Sequence, residues 1–240
     1  MAQPPAATPL VEIAGLRKQY GGLRPLRINA LSVAPSERVT LRGLDAQAAE
    51  MLVLLVTGAS LPDDGTVRIA GRDTREITTD TQWLTSLDVF GMVTARAVLL
   101  DSLTLESNLA LPMTLSIDPV SSEVRATVAA LAQEVELDAA LSAHVNTLSE
   151  AARVRVHLAR ALATDPRMLL LEHPTARLAP EEATAFGRLL ASIGERRNIA
   201  WLALTEDEAF VAAAGGRLGQ LVAASGDVRV PTTRRWGRFW

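Results

Sequence analysis

The chain has 240 residues, 48% of them hydrophobic, 21% charged and none cysteine, a globular balance that excludes disulfides and thiolate chemistry. With 24 basic residues against 27 acidic ones the net charge is -3, so no global positive field attracts nucleic acid or anionic lipid. No apolar stretch approaches the roughly 18 to 20 residues that cross a bilayer, and the length suits one compact unit with a small inserted lobe.

Residues 1–9 are rich in Ala and Pro and lack a basic start followed by an apolar run, so a flexible leader is expected and not a signal peptide. The main unit is expected over 10–230. Apolar segments at 11–13 and 26–33, separated by the Tyr20-Gly21-Gly22 turn, predict antiparallel strands. A third short strand at 38–41 is followed by Gly43, and 46–56 then has high helix propensity with Leu52, Leu55 and Val56 on one side. The turn cluster at 61–65 leads into a strand at 66–69 and a second turn at 71–73, the pattern of a hairpin.

From about 95 to 163 the sequence predicts a helical lobe, strongest at 123–135 and 151–162 and interrupted by Pro112 and Pro119. Apolar runs at 168–171 and 200–204, with a helix at 181–196 between them, suit buried parallel strands of an α/β sheet. Short strands at 218–222 and 228–230 surround the Ser225-Gly226 turn. Residues 231–240 interleave Arg234, Arg235 and Arg238 with Trp236, Phe239 and Trp240. This tail suits a membrane interface or partner groove as well as it suits disorder.

A P-loop reads G-x-x-x-x-G-K-[ST] between a strand and a helix. Its stacked backbone N–H groups cradle phosphates, the lysine reaches the terminal phosphates and the hydroxyl holds magnesium. Residues 43–50 fill such a slot but read Gly43-Leu44-Asp45-Ala46-Gln47-Ala48-Ala49-Glu50. Gly43 keeps the first glycine. Ala48 stands at the second glycine, Ala49 at the lysine and Glu50 at the hydroxyl.

A longer block lies downstream. Leu148-Ser149-Glu150-Ala151-Ala152 and the following 153–163, with Arg155-Val156 and Ala159-Arg160-Ala161-Leu162 in register, resemble Leu-Ser-Gly-Gly-Gln and its continuation in ATP-binding cassette proteins. Asp165-Pro166-Arg167, the apolar run 168–171 and Glu172-His173-Pro174-Thr175 are similar to the same family's Asp-Pro, four apolar residues and Asp-Glu-Pro-Thr. The resemblance covers about 11–230, and the wording of 103–112 is closest to cassettes serving lipoprotein release, macrolide export and lipid trafficking. It implies a RecA-like P-loop NTPase sheet flanked by helices, with an N-terminal antiparallel β lobe and an inserted helical lobe. It also implies that Tyr20 takes the place of the aromatic that stacks on adenine, which competes with a plain turn-and-core role.

At the positions where the family does chemistry, this sequence departs from it. The magnesium-polarising Asp is Glu172, the water-activating carboxylate is His173, the glutamine sensing magnesium and water is Ala95, and the switch histidine is Glu206. Glu50 adds a negative charge near phosphate, and two unit charges at about 4 Å interact by roughly 4 kcal/mol at an effective dielectric near 20. In the signature, Glu150 and Ala151 replace glycines that let backbone amides approach phosphate across a dimer. ATP and magnesium binding are therefore expected to be weak or absent, with no catalytic residue intact.

The resemblance implies a peripheral subunit on the cytoplasmic face of the membrane. It would dock on transmembrane permease subunits and pair as a homodimer or with a homologous cassette ATPase. Two rivals stay open: a working ATPase using Glu172 and His173 in an unorthodox site, and a soluble interaction module free of any permease. His144 and His157 have no spaced partner that predicts a metal site. The Glu206-Asp207-Glu208 cluster reads as a helix N-terminus capped by Thr205.

Overall fold

The computed structural model describes residues 7–94, 96–117 and 119–230. The expectations for residues 1–6, for Ala95 and for the 231–240 tail lie outside the described residues.

The antiparallel strands β1 (Val11–Lys18) and β2 (Leu26–Val33) open the chain, and β3 (Arg38–Arg42) runs through a three-residue turn into α1 (Ala46–Val56). The strands β4 (Asp64–Ile69) and β5 (Arg72–Asp73) complete an antiparallel sheet of order β2-β1-β4-β5. Next come α2 (Asp80–Leu87) and β6 (Phe90–Thr94), then the helices α3 (Leu105–Ala110), α4 (Ser122–Glu134) and α5 (Glu150–Leu162). The chain finishes as β7 (Met168–Glu172), α6 (Pro180–Arg197), β8 (Ala200–Leu204), α7 (Glu208–Ala214), β9 (Arg217–Val222) and β10 (Asp227–Arg229).

The second sheet has the order β10-β9-β3-β8-β7-β6, parallel throughout except for β10. The fold is the expected one, a parallel α/β sheet with an antiparallel lobe beside it. Every residue of β7 and β8 is buried, which is why both read as unbroken apolar runs. Their side chains alternate between two cores. Leu169, Leu171, Trp201 and Ala203 face the helices α3 to α6, whereas Met168, Leu170, Ala200, Leu202 and Leu204 face α1 and the antiparallel sheet.

Two elements carried no clear sequence signal, for different reasons. The helix α2 buries none of its residues, so it has no apolar stripe to read, and Thr79 starts it by accepting from the Gln82 N–H. In β6, Gly91 interrupts the apolar pattern because α5 passes directly over it. A Cβ there would lie 2.2 Å from the Ala161 carbonyl oxygen.

The cap of α7 differs from expectation. Asp207 accepts from the N–H groups of Ala209 and Phe210 at 3.0 and 3.1 Å, while Thr205 Oγ1 accepts from the Asp207 N–H at 3.1 Å. Asp207 is the cap, because its carboxylate reaches two orphan amides where the Thr205 hydroxyl sits two residues too early. Asp207 also accepts the Thr175 hydroxyl at 2.6 Å, which ties the loop after β7 to the start of α7.

Candidate functional site

The carboxyl ends of β3, β7 and β8 converge, as ligand-bearing ends do in open parallel sheets. There they bring together Gly43, Glu50, Glu172, His173 and Glu206. Each can be traced to the element that places it.

Gly43 follows β3 with φ +90°, a backbone state that favours glycine, and a Cβ there would meet the Leu221 carbonyl oxygen at 2.3 Å. Its N–H donates to the Glu206 carboxylate, which Arg42 Nε also approaches at 3.2 Å. Asp45 caps α1 by accepting from the Ala48 N–H at 2.8 Å. The Ala49 N–H donates to the Asp45 carbonyl at 2.9 Å, and Ala49 is fully buried. Two backbone donors of the 43–50 segment thus already donate to carboxylates of this chain.

The negative charges nearby have a cation of their own. Arg96 follows β6, which pairs in register with β7 so that Thr94 lies beside Glu172. One arm of its guanidinium contacts Glu50 and the other contacts Glu172 Oε2 at 2.7 Å. Burial pushes the Glu172 carboxyl above its ordinary range, against the pull of Arg96, and the neighbouring Glu50 pushes it the same way as burial. Nothing in the sequence flagged Arg96, because it matches no family landmark and its meaning depends on two distant glutamates.

His173 sits at φ +44°, its N–H donating to the Leu204 carbonyl at 2.8 Å. Its Nε2 is buried with no hydrogen-bond partner among the described residues. The imidazole borders a cavity of about 290 Å³ lined by residues of α5 and of the loops after β6 and β7, Arg153 and His157 among them. Burial, with Arg160 and Arg153 adding to it, holds His157 down at a pKa of about 4.

Tyr20 is half-buried and packs against the core of the antiparallel lobe, its ring covering Gly22. Burial, helped by the Asp45 charge, raises its phenol. Of the signature positions, Glu150 lines the same cavity as His173. Ser149 caps α5 by accepting from the Ala152 N–H at 3.2 Å, Glu150 is exposed with Arg177 at 4.0 Å, and Ala151 occupies the first turn.

A family model described as ABC transporter matches residues 26–176. The chain belongs to that family. Among curated relatives of this cassette, the methionine import ATP-binding protein MetN of Brucella abortus is 30% identical over 206 residues, covering 85% of the chain and 55% of the relative. The cassette therefore spans about half the length of the MetN proteins that it matches. The lipoprotein-releasing system ATP-binding protein LolD of Anaeromyxobacter dehalogenans is 31% identical over 207 residues, covering 85% of the chain and 87% of the relative. Its type is one that the wording of 103–112 resembles, although MetN proteins match at a similar level.

Two solved structures share the cassette's fold. One is cbiO1 from Clostridium perfringens, part of the ABC transporter complex cbiONQ, with a TM-score of 0.77 at 17% identity, covering 93% of this chain and 88% of the other. The second is a dimeric post-hydrolysis state of the ATP-binding cassette MJ0796 bound to ADP and Pi, with a TM-score of 0.72 at 23% identity, covering 91% and 96%. Among the described residues, no helix is long and apolar enough to cross a membrane.

Proposed function

We propose that this cassette is an ABC transporter subunit that does not hydrolyse ATP and serves as a structural or regulatory half of a cassette pair on a permease. The observation that carries this reading is the satisfied state of the P-loop slot. The Ala48 N–H donates to Asp45 and the Gly43 N–H to Glu206, and a buried Ala49 stands where a lysine would reach phosphate. A bound phosphate would have to displace two carboxylates from charge-assisted hydrogen bonds and would gain no lysine in exchange.

The magnesium nucleotide that the family implies does not fit this residue set. Magnesium asks for oxygen donors with open positions, and the two carboxylates that could supply them, Glu50 and Glu172, already share the Arg96 guanidinium. His173 offers a buried, unpartnered Nε2, the feature that favours an active enzyme with a histidine base. Against that, a base without a held phosphate has no reaction to assist.

On this reading the position of the chain is peripheral, on the cytoplasmic face of the membrane. Its partners are transmembrane permease subunits together with a second copy or a homologous ATPase. A soluble module with no permease is the remaining rival. Purification of the tagged chain from its native membrane, with identification of bound subunits and an ATPase assay, tests all three readings. Recovery of a permease and a second, hydrolysing cassette is the expected outcome. Turnover by this chain alone would favour the enzyme, and a clean soluble monomer would favour the free module.

A further inference from the structure

We propose that the guanidinium of Arg96 is the resident cation of the Glu50–Glu172 carboxylate pair, so that the native chain excludes divalent metal there and loss of Arg96 opens an all-oxygen metal site. The inference rests on the reading above that the chain's own groups fill the P-loop site.

Glu172 ends β7, and its side chain is only 8% exposed, so its charge requires a fixed partner. Glu50 projects from the first half of α1 towards the same cation. Two carboxylates converging on one point repel unless a cation lies between them. Arg96 meets the need with a single planar fork, Nη1 towards Glu50 and Nη2 towards Glu172, an arrangement suited to guanidinium.

The cation is held on a pinned segment. Arg160 Nη1 donates to the Val98 carbonyl at 2.7 Å. The Leu100 N–H donates to Asn108 Oδ1 at 2.9 Å, while Asn108 Nδ2 donates back to the Leu100 carbonyl at 3.0 Å. Asn108 is completely buried, so this clamp is not a surface contact. With the guanidinium removed, the Glu50 and Glu172 carboxylates from α1 and β7 would lose their shared counter-charge, and carboxylate oxygens are the donors that hard divalent ions take.

The test is a manganese titration of the whole chain in nucleotide-free buffer, followed by calorimetry. The wild type is expected to show no saturable binding below about 1 mM, and Arg96→Ala to bind one ion per chain at least about tenfold more tightly. Arg96→Lys, which restores a positive charge, should behave as the wild type does. Adding Glu172→Gln to Arg96→Ala should abolish the gain. Wild-type binding as tight as that of Arg96→Ala, or a gain that survives Glu172→Gln, would overturn the proposal.

Should Arg96→Ala not fold, amide hydrogen exchange of residues 96–101 in the wild type, with and without manganese, decides the matter. Unchanged exchange is expected, and new protection there overturns the proposal. The titration contains no nucleotide, so it tests the Arg96 assignment by itself, whereas a separate ATPase assay of the wild type tests the reading of a non-hydrolysing cassette.

Discussion

The backbone N–H of Gly43 donates to the carboxylate of Glu206, joining the turn after β3 to the loop after β8. In a phosphate-binding loop that amide would face an anionic ligand. Here the anion is a side chain, and Arg42 balances its charge at 3.2 Å. The bond links two positions at which the sequence departs from or retains the family pattern, and it gives Gly43 a role that needs no nucleotide.

Gly43→Ala should therefore destabilise the chain whether or not nucleotide is present. The new Cβ would meet the Leu221 carbonyl oxygen at 2.3 Å in a left-handed backbone. A loss of about 1 to 3 kcal/mol is expected in urea denaturation. A neutral outcome would mean that the turn is not packed as described.

Arg96→Ala should cost more than Glu50→Ala. The first leaves Glu172, 8% exposed, without a counter-charge, whereas Glu50 is 46% exposed and can turn to water. The expected losses are about 2 to 4 kcal/mol for Arg96→Ala and below about 1 kcal/mol for Glu50→Ala. Equal losses in paired denaturation curves would contradict the asymmetry.

His157 gives stability a pH dependence of definite sign. Its folded pKa of about 4 lies below the ordinary 6.5, so the native state binds fewer protons than the unfolded chain between those values. The contribution is fully present above pH 6.5 and is lost as pH falls towards 4, with a slope of up to about 1.4 kcal/mol per unit. In His157→Gln the stability curve should be flatter in this window. An unchanged slope would show that another group titrates there.

Restoring two P-loop residues should not restore the ligand. In Ala49→Lys with Glu50→Ser, Asp45 still holds the Ala48 N–H and Glu206 still holds the Gly43 N–H. The double variant is expected to bind ATP no more than tenfold better than about the millimolar range, even with a lysine at hand. Micromolar binding by calorimetry would place the whole defect in those two side chains.

Much of the fold was legible in the sequence, and for a physical reason. Strands buried on both faces, such as β7 and β8, must be apolar throughout, and helices such as α5 must carry an apolar stripe. The exposed α2 and the glycine-interrupted β6 carry neither mark. At the candidate site, Ala48, Ala49, Glu50, Glu172, His173 and Glu206 could be singled out one at a time from the sequence. What they do to one another could not. Arg96 sits far in sequence from both glutamates it bridges, and whether Glu206 turns inward to Gly43 or lies along the α7 dipole is decided by tertiary packing alone.

The most direct measurement is calorimetric titration of the purified wild-type chain with magnesium ATP. An account in which Asp45, Glu206 and Arg96 fill the site predicts no saturable heat up to about millimolar nucleotide, with or without magnesium. Magnesium-dependent binding in the micromolar range would contradict it and would make His173 the next residue to test as a base.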